Sequence, residues 1–105
     1  MAAVEKIEAG QRMATPWRRR RMCVLVADQP APAALRELSA RGAFVETNAR
    51  PALGSTVELR HPDAGAISAT VTSLARDGVE LGFDFGEASV GFTLAAIAAD
   101  MSRPA

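Results

Sequence analysis

The sequence predicts an all-β fold: an antiparallel sheet that closes into a barrel or a sandwich, followed by one C-terminal helix. Short segments in which apolar and polar residues alternate recur along the chain, and tight turn signals separate them. Near residue 89 the apolar repeat changes from two residues to about 3.6 residues, the helical period. No helical segment is predicted between the strands, so consecutive strands are expected to pair as antiparallel hairpins. The 105 residues are enough for one domain with a modest core.

Three short strands are predicted in the first half of the chain. They are 22–27, 35–38 and 43–47. Pro30 and Pro32 predict a loop over 28–34, because proline lacks the backbone donor of a strand ladder. The Ser-Ala-Arg-Gly segment at 39–42 has turn chemistry and joins the second predicted strand to the third.

Three further strands are predicted in the second half. They are 56–60, 67–74 and 79–85. Turn segments at 48–55 and 61–66 separate the first of these from its neighbours, and Asp77-Gly78 is a hairpin signal before the last. The last strand alternates most regularly, which predicts that one face carries Val79, Leu81, Phe83 and Phe85.

The segment after residue 88 is predicted to be an amphipathic helix with Ser89 as its N-cap. One helical stripe carries Val90, Leu94, Ile97, Ala98 and Met101. We expect Val90, Leu94 and Ile97 to pack against the sheet and close the barrel.

Positive charge is concentrated in one short segment. Residues 12–21 carry five arginines and no acid, whereas 22–105 carry six arginines and ten acids, a net charge of −4. The pattern predicts a flexible arm over 1–16, a domain over 17–101 and a tail over 102–105. A single basic arm on a mildly acidic body suits a small, compact anion better than a long polyanion.

The sequence carries none of the common enzyme signatures. A single histidine, His61, and a single cysteine, Cys23, do not make a typical zinc site, and there is no nucleophile elbow or phosphate-binding glycine loop. We therefore expect no enzyme activity, no catalytic residue, no metal and no cofactor. One cysteine allows no disulfide within the chain, and no apolar run reaches the length of about 18 residues of a membrane span, so a cytoplasmic location without a membrane span is expected.

Two segments carry chemistry of interest. Arginines 18–21 precede the first predicted strand, and an arginine guanidinium binds phosphate through two donors and stacks on bases. A solvated basic arm, or a patch that binds nucleic acid or acidic lipid without specificity, is the simpler interpretation of such a run. The second segment is 36–46, where the simpler interpretation is a turn in which Ser39 bonds the backbone and Gly42 supplies an unusual φ.

Together, the two segments resemble the signatures of the PilZ domain, the bacterial receptor module for cyclic di-GMP. That family has an Arg-x-x-x-Arg segment before its first strand and an Asp/Asn-x-Ser-x-x-Gly segment after its second strand. Here the run 18–21 supplies arginines without that spacing, and Glu37-x-Ser39-x-x-Gly42 has Glu at the first position. The run 81–85, Leu-Gly-Phe-Asp-Phe, matches a late-strand pattern of the family. The resemblance covers 17–101 and implies a six-stranded antiparallel β-barrel with a C-terminal helix.

The resemblance also implies a ligand and a set of residues that bind it. The ligand is cyclic di-GMP, and the implied binding residues are Arg18, Arg19, Arg20, Arg21, Glu37, Ser39, Gly42 and Gly82. The arginines would bind the phosphates and the O6/N7 edge of guanine, and Glu37 and Ser39 would contact a guanine edge. A single-domain receptor of this kind would act through a protein effector that the sequence does not identify.

Two other functions remain open at this stage. The Glu at position 37 and the missing arginine spacing favour a degenerate PilZ-like module that binds no nucleotide and acts as a protein-interaction adaptor. A small barrel that binds single-stranded nucleic acid is the less favoured alternative. Such a surface uses several stacking aromatics, and only Trp17 lies near the arginines in the sequence.

Overall fold

The computed structural model describes residues 21–102, which form a closed six-stranded antiparallel β-barrel and one C-terminal helix. The elements are β1 Arg21–Val26, β2 Pro30–Ser39, β3 Gly42–Glu46, β4 Thr56–His61, β5 Gly65–Ala75, β6 Gly78–Gly82 and α1 Glu87–Ser102. Around the barrel the order is β1-β2-β3-β6-β5-β4, and every neighbouring pair is antiparallel. The predicted fold is confirmed as a barrel of six strands with a terminal helix. The arm predicted over 1–16 lies outside the described residues.

The interior of the barrel is filled by side chains from alternate positions of all six strands. The large side chains that are fully buried there are Leu25, Leu35, Leu59, Leu81, Val45, Val71 and Val79. Branched aliphatic residues fill the interior of a small barrel well, because they pack closely and need no hydrogen-bond partners. The barrel is therefore held by a packed core, and its outer face and its ends are left for recognition.

The loop predicted over 28–34 is wrong, because β2 already begins at Pro30 and pairs with β1. In a strand, the N and C=O of one residue point to the same side. The Pro32 carbonyl accepts a hydrogen bond from Thr47 Oγ1 at 2.8 Å, so this side faces away from β1. The missing N–H of Pro32 is therefore on the side that faces β3. Pairing of β2 with β3 begins only at Ala34, so no hydrogen bond between the strands is lost.

The predicted packing face of α1 is also wrong. Of the three residues expected to pack, Val90 and Leu94 are 36% and 63% exposed and only Ile97 is half-buried, and Met101 of the same stripe is 57% exposed. The buried positions include Phe92 and Ala96 instead. Most of the helix surface is apolar, so periodicity alone does not choose the buried side. Size and shape decide instead, because the Phe92 ring packs edge-on against Phe83 and His61, with ring centroids 6.0 and 6.2 Å apart.

The start of α1 differs from the prediction by three residues. The helix begins at Glu87, and Gly86 occupies the N-cap position in place of Ser89. The Gly86 N–H donates to Ser89 Oγ at 3.0 Å. This is one of the two hydrogen bonds of a capping box, in which the side chain at the third helical position accepts from the N-cap N–H. Glu87 lies in the first turn, where a negative charge is favourable. No helix within 21–102 is long and apolar enough to cross a bilayer.

The last strand is shorter than predicted. It ends at Gly82, after which Phe83 stays buried while Phe85 is 59% exposed, so the prediction that Phe85 shares the buried face is wrong. The Phe83 N–H donates to the Arg41 carbonyl at 2.9 Å, and this hydrogen bond joins the segment after β6 to the β2–β3 turn. Phe85 then lies under the Arg41 guanidinium, 4.6 Å from its carbon to the ring centroid.

Candidate functional site

A groove on the outer face of the barrel brings together four of the predicted binding residues. We call it the hairpin groove, and its lining includes Glu37, Ser39, Gly42, Phe44, Glu80 and Gly82. It encloses about 520 Å³ across β2, β3 and β6. The Glu-x-Ser-x-x-Gly segment thus forms one wall and part of the floor of a single concave surface.

Strand register explains why these side chains meet. Ser39 pairs with Gly42, and Gly42 pairs in turn with Gly82, so these three positions form one row across the sheet. Two residues further along the strands, a second row runs from Glu37 through Phe44 to Glu80. Residues two apart in a strand point to the same face, so both rows face outward.

Two β-bulges flank the groove. The β2–β3 register shifts between Leu35 and Glu37, and the β5–β6 register shifts between Val71 and Ser73. The first bulge lets Arg36 and Glu37 both leave the interior. Bulges often re-aim side chains beside binding sites, and here they lie on either side of the β3–β6 pair. The sequence does carry a signal for the first bulge, because residues 35–38 are Leu-Arg-Glu-Leu and two successive charged residues break the period of two.

The two paired glycines keep the centre of the groove free of side chains. A Cβ at Gly42 would lie 2.2 Å from the Leu81 carbonyl oxygen, so the backbone of this strand pair would have to shift to accept a side chain there. A Cβ at Gly82 would lie 2.9 Å from Thr72 Cγ2, a contact that a small side-chain movement relieves. Glycine at position 42 is therefore required by the close approach of β3 and β6.

The turn between β2 and β3 uses Ser39 as well. Its Oγ accepts a hydrogen bond from the Arg41 N–H at 3.1 Å, as the simpler interpretation of this segment predicts. The unusual φ predicted for Gly42 is wrong, since the described glycines with positive φ are Gly54 and Gly65. The Ser39 hydroxyl hydrogen is still able to donate to a ligand in the groove.

The described part of the groove is acidic. Glu37 and Glu80 are exposed, and neither carboxylate forms an ion pair with another residue of 21–102. The nearby Arg36 is already paired with Glu46 and Asp77 at 2.8 and 3.0 Å. A carboxylate accepts from a guanine N–H pair or from a guanidinium, but it repels phosphate.

The remaining predicted binding residues lie elsewhere. Arg18, Arg19 and Arg20 fall outside the described residues. Arg21, the first residue of β1, does not line the groove and instead forms ion pairs with Asp63 and Asp100.

A second polar cluster, which the sequence did not predict, ties α1 to the barrel. His61 Nδ1 accepts from the N–H groups of Asp63 and Ala64 at 3.0 and 3.1 Å, so the ring proton lies on Nε2. Nε2 donates to the Asp100 carboxylate at 3.1 Å, and Arg21 Nε lies 3.4 Å from the same group. Within 21–102, His61, Asp63 and Asp100 are the one set of donors spaced for a metal, and Arg21 forms ion pairs with both acids.

Cys23 lies beside this cluster and is 1% exposed. Burial, with a further contribution from Asp100, raises the pKa of its thiol from 9.0 to about 11, against a lowering effect of Arg21. In the unfolded chain the thiol ionises near pH 9, whereas in the folded chain it stays protonated. We therefore expect stability that is complete below pH 9 to fall as the pH rises towards 11.

Denaturant unfolding between pH 8 and pH 11 measures this dependence. The Cys23→Ala variant should be less stable at pH 8 but should lose less stability over the same interval. Parallel curves for the two proteins would show that Cys23 does not titrate in this way.

A second groove, of about 490 Å³, lies near the β2–β3 pair at the opposite end of the strands. Its lining includes Pro32, Glu46, Thr47 and Asp77, and Arg36 bridges the two acids. None of the predicted binding residues lines it.

No family model, no curated protein and no solved structure matches the chain. The hairpin groove is therefore interpreted from its own residues: two unpaired carboxylates, a hydroxyl, a half-buried aromatic ring and a floor of glycine. Such a surface can accept hydrogen bonds from a flat, donor-rich group. Arg41 is the one cation among the described lining residues, and its guanidinium stacks on Phe85, so two phosphates need further positive charge from outside the groove.

Proposed function

We propose that this chain is a PilZ-type cyclic di-GMP receptor, a single-domain adaptor in bacterial second-messenger signalling. The observation that supports this function best is the placement of Glu37-x-Ser39-x-x-Gly42. The segment forms the β2–β3 hairpin and lines a groove whose floor is the Gly42–Gly82 pair. A six-stranded antiparallel barrel with a C-terminal helix is the fold that the resemblance implies.

In this proposal the hairpin groove binds a guanine and the arm binds the phosphates. A guanine is flat and presents a pair of N–H donors, so it fits the glycine floor with its donor edge towards Glu37. The two phosphates are negative and cannot lie against the carboxylates, so they bind Arg18, Arg19 and Arg20. Each charged hydrogen bond contributes about 1.5–3 kcal/mol, so three or four of them reach the roughly 8 kcal/mol of micromolar binding.

Chain connectivity brings the arm close enough for this division. Arg21 pairs with Leu35, and Glu37 lies two residues further along β2. A chain spans at most about 3.6 Å per residue, so Arg18 lies within roughly 11 Å of Arg21 along the backbone. Arg21 itself stays with Asp63 and Asp100 and anchors the base of the arm.

Calorimetric titration with cyclic di-GMP tests this function. We expect saturable binding by the natural chain and a loss of at least about tenfold in affinity for the triple variant Arg18→Ala/Arg19→Ala/Arg20→Ala, since each lost contact costs about 1.5 kcal/mol or more. Arg76→Ala is the matched control, because Arg76 is exposed in the β5–β6 turn. GMP and a short oligonucleotide should bind more weakly. Neither heat nor thermal shift at millimolar cyclic di-GMP would overturn the proposal.

The alternative is a protein-interaction adaptor that binds no nucleotide. The exposed apolar stripe of α1, formed by Val90, Leu94 and Met101, favours it, because large apolar side chains on one face are common at protein interfaces. This alternative predicts that Leu94→Glu abolishes association with the partner, while the triple arginine variant leaves it unchanged.

A further inference from the structure

We propose that the hairpin groove binds the chain's own arginine segment 18–20 when no nucleotide is present. The arm then occupies the surface that the ligand needs. The docking itself does not depend on the proposed function, but its consequence for regulation rests on it.

Charge complementarity is the first argument. Residues 12–21 carry a net charge of +5 and 22–105 a net charge of −4. Within the groove, Glu37 and Glu80 are exposed carboxylates that form no ion pair with the described residues 21–102. Arg41 also lines the groove, but its guanidinium stacks on Phe85 and forms no ion pair with either acid within residues 21–102. The guanidinium groups of the arm, which pair with carboxylates through two donors, are therefore the complement that we propose for Glu37 and Glu80.

The shape of the row is the second argument. Glu37, Phe44 and Glu80 lie on three neighbouring strands, and neighbouring strands are about 4.8 Å apart. The two carboxylates therefore flank an aromatic ring across roughly 10 Å. Arg36 already stacks on the Phe44 ring, with its carbon 4.2 Å from the ring centroid, so the guanidinium groups of the arm would pair with the two carboxylates on either side of the ring.

Reach is the third argument. The arm joins the barrel at Arg21, which pairs with Leu35 of β2. Glu37 lies two residues beyond Leu35 on the same strand and faces outward. A short tether gives an effective concentration in the millimolar range, so even weak ion pairs occupy the groove for much of the time. The apparent affinity for a ligand is the intrinsic affinity multiplied by the fraction of molecules whose groove is free, so a docked arm lowers it.

Limited trypsin digestion without any nucleotide tests the docking, because trypsin cleaves after the arm arginines when the segment is free. The probe variant is Glu37→Gln/Glu80→Gln. The matched control is Asp28→Asn/Glu58→Gln, which removes two exposed or half-buried acids that do not line the groove. Circular dichroism checks that each variant is folded.

We expect cleavage within 18–20 to be at least about threefold faster in the probe variant than in the natural chain or the control. Raising the salt from 0.05 to 0.5 M should bring the natural chain to the rate of the probe variant, because salt screens the ion pairs. Equal rates in all three proteins at low salt would overturn the docking. Titration with cyclic di-GMP is a separate measurement, so failure of nucleotide binding is distinguished from failure of docking.

Discussion

The Gly42→Ala variant is expected to be about 2–3 kcal/mol less stable than the natural chain. The new Cβ would lie 2.2 Å from the oxygen and 3.3 Å from the carbon of the Leu81 carbonyl. Leu81 lies in β6 between β3 and β5, so the neighbouring backbone cannot move without disturbing two ladders. Overpacking of this kind typically costs 1–3 kcal/mol, and a backbone contact lies at the upper end of that range. Denaturant unfolding measures the difference.

Gly91→Ala is the matched control for this prediction. No atom lies within 4 Å of the Cβ position at Gly91, which is exposed in α1. Alanine is favoured over glycine in a helix by about 1 kcal/mol, so this variant should be more stable. The close approach of β3 and β6 would be refuted if both substitutions changed stability in the same direction.

The Asp100→Ala variant is expected to lose about 2–3 kcal/mol of stability. Asp100 accepts from His61 Nε2, and its side chain is 5% exposed. Its removal leaves the buried His61 donor without its acceptor and takes from Arg21 one of its two acidic partners, the other being Asp63. Breaking a fully buried ion pair costs 3–5 kcal/mol, and the 20% exposure of the Arg21 side chain reduces that cost.

Asp84→Ala serves as the control, because Asp84 is exposed and outside the cluster; its loss should change stability by less than about 0.5 kcal/mol. Hydrogen exchange gives a second, local measurement. In Asp100→Ala the last turn of α1 should exchange faster, while the amides of β3 and β6 keep their order of protection. Unchanged exchange in that turn would show that Asp100 does not tie the helix to the barrel.

Much of the barrel could be predicted from local patterns. Strands β3, β4 and β6 begin within one residue of their predicted positions, because alternation and turn residues act locally. The start of β2 could not be predicted in this way. Whether Pro30 and Pro32 interrupt a ladder depends on which side their nitrogens face, and pairing with β1 decides that. The buried side of α1 likewise depends on the rings of Phe83 and His61.

The candidate site was predictable only along one segment. Glu37, Ser39 and Gly42 lie close in sequence, so a motif shows them together. Phe44 and Glu80 join them through cross-strand register, which two bulges shift and which no local pattern encodes. The pairing of His61 with Asp100 joins residues 39 positions apart. An acid in the last helical turn is unfavourable by itself, so its tertiary role was hidden.

The contact between Arg21 and Asp100 also places the two ends of the domain side by side. A short peptide could bridge them, and the connection over 47–55 between β3 and β4 would then supply new termini without cutting a strand. In such a circular permutant, the arm would become an internal loop held at both ends. Holding the arm at both ends would limit the space it samples, so the permutant would change the effective concentration of the arm at the hairpin groove without changing any charge.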